Sequence, residues 1–146
     1  MSIKKRGYIA KAKRADWQTP DDLYARLHEI FKFNFDPCPP NPTWDGLCIS
    51  WGTRAYCNPP YNALWAWIEK AWQEAQEGKL VVMLIPARTD TKAWQEFIFK
   101  DATEIWFVKG RIVFKGAKAG APFPSAVVIF DGKRGLGNPR VKGWEW

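Results

Sequence analysis

The chain has 146 residues, a formal net charge of +7, ten tryptophans and three cysteines. That length suits one domain with a single modest core, and its longest apolar run, Leu80 to Ala87, is too short to cross a bilayer. No signal peptide is recognisable, and Cys38, Cys48, Cys57 and the single His28 lack the close pairing of a zinc site, so no metal is expected and a reduced, cytosolic protein is.

The charge is unevenly placed. Residues 1–15 carry Lys4, Lys5, Arg6, Lys11, Lys13 and Arg14 with no acid, and the stretch from Lys109 to Trp146 is again basic. A polyanion is the natural partner of such ends, because neutralised phosphates release counterions; a solvated basic surface is the plainer account. An anionic membrane is disfavoured, since no basic amphipathic helix is evident. The tryptophans read first as core filling and second as rings for stacking on bases or on a cofactor.

In chain order, residues 1–15 read as a flexible basic arm. Thr19 caps a helix with Pro20 at its first position and Asp21 and Asp22 in its first turn; Leu23, Leu27, Ile30 and Phe31 carry it to about Phe31. Phe33 to Asp36 reads as a short strand, residues 37–54 as loop, and Ala55 to Asn58 as a strand stopped by Pro59 and Pro60. A helix follows from about Ala63 to Glu77, ended by Gly78; then comes Leu80 to Ile85, a continuous apolar run suited to a strand buried on both faces. Thr89 or Asp90 caps a helix over about Thr91 to Lys100, and Glu104–Val108, Arg111–Phe114 and Ser125–Phe130 read as strands. Alternating helices and buried strands predict an α/β domain over 16–131, its sheet mostly parallel with an antiparallel edge from the late strands, and residues 132–146 as a basic C-terminal tail. Ligands of such sheets sit beyond the carboxyl ends of strands, and Asp36–Pro39, Asn58–Tyr61 and Pro86–Asp90 all fall there.

Asn58-Pro59-Pro60-Tyr61 carries the most chemistry. The exocyclic amine of adenine is a poor nucleophile because its lone pair is delocalised into the ring. Acceptors for its two hydrogens help it pyramidalise; an Asn side-chain oxygen serves as one and the carbonyl of the following proline as the other. Two successive prolines stiffen the turn and offer no N–H to compete for those oxygens. Tyr61 offers a flat ring for an extruded base. Such a site works by positioning and preset dipoles, without a metal or a covalent nucleophile. The simpler account of these residues is a proline-rich turn after a strand.

These four residues resemble the catalytic motif of amino-methylating DNA methyltransferases. The wider pattern resembles the small phage-type, Dam-like DNA adenine methyltransferases. Its further matches are Trp17-Gln18-Thr19-Pro20, Phe35-Asp36-Pro37-Cys38, Asp45-Gly46-Leu47, Trp51 ahead of Tyr56 to Tyr61, Leu84 to Thr91, Gly110-Arg111-Ile112 with Phe114, and Pro122 to Phe130. The likeness runs in unbroken order over residues 16–130. It implies a Rossmann-like methyltransferase fold with a reversed final strand at the edge, S-adenosylmethionine as methyl donor, and DNA as partner. By that resemblance Asn58, Pro59, Pro60 and Tyr61 hold the flipped base. Trp17, Thr19, Pro20, Asp36, Pro37 and Cys38 line the cofactor pocket, with Asp45 near the cofactor's adenine or the target amine. The site of action is then the cytoplasm, a host cell's if the chain is phage-encoded.

From the residues alone, Asp36 pairs with the cofactor's amino group or caps a turn, Asp45 forms an Asp-Gly turn, and Trp17 faces the cofactor or plugs the core. Arg88 pairs with Asp36 or Asp90 or reaches a phosphate, and Arg111 contacts DNA or is a surface strand residue. Trp65, Trp67, Trp72, Trp94 and Trp106 read as packing. One departure stands out: Pro39-Pro40-Asn41-Pro42 replaces the glycine-rich loop of larger methyltransferases, and the gap from Asp36 to Asp45 cannot hold a helix plus a strand. The fold is therefore expected to be minimal or truncated at its front. The alternatives are a non-catalytic nucleic-acid-binding module and methylation of cytosine N4, of RNA, or of a protein glutamine amide.

Overall fold

The structure is a computed structural model that describes residues 17–146; the predicted basic arm, 1–15, lies outside them. Helix α1 (Asp21–Phe31) buries Leu23, Leu27 and Phe31, one apolar residue per turn. It stops at Lys32, whose φ of 55° turns the chain left-handed. Pro20 takes the cap position with no side-chain bond, whereas Thr19 was expected there; the Thr19 hydroxyl is turned elsewhere, as described below.

Strand β1 (Arg54–Cys57) pairs in parallel with β2 (Leu80–Pro86). Phe33–Asp36 falls short of the predicted strand, contributing only a parallel bridge from Phe35 to Ala55. A 3-10 turn (Tyr61–Ala63) leads into α2 (Leu64–Ala75). The predicted helix near residues 91–100 contains a π-helical turn (Trp94–Ile98) and then α3 (Phe99–Asp101). Strands β3 (Glu104–Val108), β4 (Ser125–Asp131) and β5 (Arg140–Trp144) complete the chain.

The result is a mixed α/β fold on a five-stranded sheet of order β1-β2-β4-β3-β5. The parallel pairs are β1–β2 and β3–β5, and β4 runs antiparallel to both its neighbours, β2 and β3. This corrects the expected antiparallel edge: the reversed strand lies in the middle. The physical reason is burial. β4 reads Ser-Ala-Val-Val-Ile-Phe before its closing Asp and is covered on both faces, which only an interior position allows. The edge is taken by β5, whose residues are exposed up to Trp144, so part of the segment read as a basic tail is a strand of the sheet. Arg111–Phe114 is not a strand either; Ile112 and Phe114 are buried and their neighbours exposed, as alternation predicts, but no ladder forms there.

Alternate residues of β2 build two cores. Val81, Met83 and Ile85 pack with Trp67, Ile68 and Ala71 of α2 and with Trp94 and Ile98. Leu80, Val82 and Leu84 pack with Leu23, Leu27 and Phe31 of α1 and with Phe114 and Phe123. Trp67, Trp94 and Trp106 are buried as expected, while Trp65 is 40% exposed.

Candidate active site

Because Phe35, β1 and β2 run side by side in the same direction, the residues that follow them emerge at one edge of the sheet. There a cleft of about 610 Å³ opens, within the range of small-ligand sites. Asn58, Pro59, Pro60 and Tyr61 all line it, as do Trp17, Thr19, Asp36 and Cys38. Segments far apart in sequence are thereby brought to one wall.

Asn58 is the centre of its polar network. Its Nδ2 donates to the Trp17 carbonyl and to Thr19 Oγ1 at 3.1 Å. A carbonyl can only accept, so the amide nitrogen must face Trp17 and the amide oxygen must face away. That oxygen, Asn58 Oδ1, is buried and has no hydrogen-bond partner among the described residues. Leaving a buried acceptor unpaired costs about 1–3 kcal/mol, and such groups in native folds call for an explanation. Here the acceptor sits on a residue that lines the cleft.

Tyr61 is fixed by its hydroxyl, which donates to the Leu84 carbonyl at 3.3 Å, and by T-shaped contacts with Phe123 (5.5 Å) and Phe114 (6.4 Å). Burial raises its pKa, so the phenol stays neutral. Trp17 meets the same two phenylalanines, Phe123 at 5.2 Å and Phe114 at 5.5 Å, so it is both cleft wall and packing residue.

Asp36 accepts one hydrogen bond, from the Cys38 N–H at 2.8 Å. Burial raises its carboxyl to about 6, only partly offset by that bond. It forms no ion pair among the described residues, so a cation entering the cleft would meet an anion lacking a partner. Cys38 is pushed up to about 12 by burial and then by Asp36; it is a neutral thiol and serves as wall rather than nucleophile. Pro37, expected in the lining, is not part of it; its carbonyl accepts Trp44 Nε1 at 3.1 Å. Gly46 approaches the same carbonyl so closely that a Cβ would lie 2.3 Å from it, which is why glycine follows Asp45.

Other expected residues lie apart. Asp45 is exposed and binds its own turn, accepting the Leu47 N–H at 3.0 Å, and it does not line the cleft. Pro20 sets the start of α1 and is also outside the lining. Arg88 is exposed, with its guanidinium 5.5 Å from the Phe123 ring; among the described residues it pairs with neither Asp36 nor Asp90. Arg111 is exposed and donates to the Ala121 carbonyl at 3.3 Å, pinning the loop between β3 and β4.

Tyr56, Tyr24 and Lys115 are among the cleft residues that the sequence reading did not assign to the site. Tyr56 lies two positions before Asn58, and the period of a strand puts both on one face; that signal was available. Tyr24 belongs to the α1 face. Lys115 reaches the cleft because its N–H donates to the Gln18 carbonyl and its amine pairs with Asp21 at 3.0 Å, contacts between residues too distant in sequence to foresee.

Comparison with known proteins bears on the family of the chain. A family model described as DNA N-6-adenine-methyltransferase (Dam) matches residues 7–129, most of the chain. No curated protein matches it.

Proposed function

The chain belongs to the DNA N-6-adenine-methyltransferase (Dam) family, and on that premise we propose that the cleft beside Asn58 is where the adenine amine of DNA meets the methyl donor. Enzymes of this kind generally use S-adenosylmethionine, which when bound supplies an electrophilic methyl on a sulfonium sulfur. The residues present suit it: the unpartnered Asp36 carboxylate faces a cleft walled by Trp17 and Tyr24, a match for a cationic, ring-bearing ligand. Trp17, Asp36 and Cys38 are the residues we assign to that side; Asp45, by its turn, supports the loop.

On the other side, the Asn58 oxygen accepts one hydrogen of the adenine amine, and the carbonyl of Pro59 takes the second. The nitrogen lone pair is then turned toward the side of the cleft where a bound methyl donor would supply the methyl group, and the surplus proton would leave the nitrogen for water. Tyr61 provides the ring against which the extruded base rests. The chain's contribution is orientation and fixed dipoles. The observation that carries this reading is the Oδ1 of Asn58, buried and unpaired among the described residues, on a residue that lines the cleft.

DNA is the substrate, and the loop between β3 and β4 suits its backbone. Residues 109–124 hold Lys109, Arg111, Lys115 and Lys118 and no acid, while Ile112, Phe114, Ala121 and Phe123 root the loop in the core. Arg111 and Arg88 flank that surface and are assigned to phosphate contact. We read the sheet as a minimal Rossmann-like methyltransferase fold, supported by the convergence of the Phe35, β1 and β2 carboxyl ends on the cleft. No helix among the described residues is long and apolar enough to cross a membrane; work on DNA assigns the enzyme to the cytoplasm, a host's if phage-encoded. Incubation with labelled S-adenosylmethionine and DNA, then digestion to nucleosides, tests the reading: N6-methyladenine is the expected product. Methylcytosine alone would overturn the choice of base.

A further inference from the structure

Resting on the reading that Asn58 receives the target amine, we propose that Thr19 and Tyr56 are a positioning pair that keeps the Asn58 amide nitrogen on Trp17 and Thr19 and so leaves its oxygen, unpaired among the described residues, for that amine. An asparagine amide can turn by half a rotation, and the turned form would offer the substrate amine a donor instead of an acceptor. Three groups oppose that turn. The Trp17 carbonyl accepts from Nδ2 and would repel the amide oxygen. Thr19 Oγ1 accepts the second Nδ2 hydrogen at 3.1 Å. A hydroxyl alone is ambivalent, since it donates as readily as it accepts; here Thr19 is also bound to Tyr56, hydroxyl to hydroxyl at 2.5 Å. Either hydroxyl can donate in that contact; the arrangement proposed is the one in which Thr19 donates, so that its lone pairs face the Asn58 amide.

Tyr56 is a firm post for this. It is 3% exposed, edge-on to Tyr24 at 5.2 Å and packed on Phe33 at 5.3 Å. Burial keeps its phenol protonated. The orientation of the amide thus depends on α1 being docked on the sheet, because Thr19 precedes that helix and Tyr24 lies in it. Thr19, which the family likeness places against the cofactor, is on this account a residue that acts through Asn58.

The test uses the full chain and the variants Thr19→Val, Thr19→Ser and Tyr56→Phe, each checked for an unchanged melting transition. In single-turnover methylation Thr19→Val lowers the rate by about 10²-fold, the scale of a misaligned reacting group, with cofactor affinity held. Tyr56→Phe loses less, and Thr19→Ser recovers most of the rate. Parental turnover in Thr19→Val, equal impairment of Ser and Val, or a loss confined to cofactor affinity would each overturn the proposal. A second readout needs no activity: the two Asn58 side-chain amide protons, assigned in ¹⁵N spectra through their disappearance in Asn58→Asp. In the parent both are slow to exchange, and in Thr19→Val one becomes fast; an unaltered pair refutes the arrangement. If the parent methylates no adenine, the catalytic reading fails while these spectra still decide the pair.

Discussion

Glu74 lies in α2 and Asp36 in the lining of the cleft, and the surroundings of these two carboxylates differ in one respect. Glu74, in α2, is 4% exposed yet fully met: Lys79 at 2.5 Å, Lys70 at 2.8 Å and the Trp51 N–H at 3.0 Å all donate to it. Burial alone would raise its pKa, but those three donors outweigh it and hold the carboxyl below its ordinary value. Lys79 also reaches the Trp51 carbonyl at 2.8 Å, so the cluster ties the loop before β1 to α2. Asp36 has one backbone donor and no cation, and its carboxyl is raised to about 6. A buried polar cluster whose bonds close on themselves stabilises; one left open recognises something from outside. Asn58 Oδ1 belongs with Asp36.

The contrast is tested most severely by Glu74→Ala, which strands two lysines and a backbone N–H. It is expected to cost about 3–5 kcal/mol in urea unfolding; a loss below about 1 kcal/mol would place Glu74 with ordinary surface pairs. Next comes Asn58→Ala, expected to slow transfer by about 10²–10³-fold, the scale seen on removing a preset dipole. Calorimetry should show cofactor binding intact and unfolding should show a smaller change than Glu74→Ala. A variant that turns over at the parental rate would remove Asn58 from the chemistry.

Asp36→Asn is the middle case and has a pH signature. Binding of a cation favours the ionised carboxylate, so cofactor affinity in the parent rises with pH through about 6 and levels above it. The Asn variant should be flat with pH and about tenfold weaker at pH 8. Stability runs the other way. A carboxyl raised from 3.8 to about 6 contributes fully below 3.8, and that share is lost as pH rises through 6. Asp36→Asn should therefore melt higher than the parent above pH 6 and equally below pH 4. Glu74 shows the opposite sign: its lowered pKa contributes above the ordinary 4.5 and is lost as pH falls through the folded value. Smallest is Lys118→Ala on the β3–β4 loop, expected to weaken DNA binding a few-fold and to reduce the salt slope by about 1. An unchanged slope would take that loop off the phosphates.

Much of the molecule was legible in the residues. Leu80–Ile85 is apolar at every position, so burial on both faces had no alternative, and Leu23, Leu27 and Phe31 mark a helix by their spacing alone. The cleft's principal segments, at Asp36 and Asn58, were recognisable because proline halts each extended segment at its carboxyl end. The β4 run was seen as a strand but set at the wrong place, since local pattern reports that a strand is buried and not which neighbours bury it. β5 was missed because an exposed edge strand has no apolar stripe to betray it.

Local chemistry, then, settled which segments are helical, which are extended, and which turn carries an amide acceptor beside two prolines. The fold settled the rest. A carbonyl from residue 17 and a hydroxyl from residue 19 reach Asn58 from about forty positions away, and they engage the nitrogen end of its amide. The state of Asp36 was decided in the same way, by the apolar surroundings and missing cation that packing left around it. Hydrogen-bond direction and desolvation depend on what stands within a few ångströms in space, and the order of residues along a chain does not record that distance.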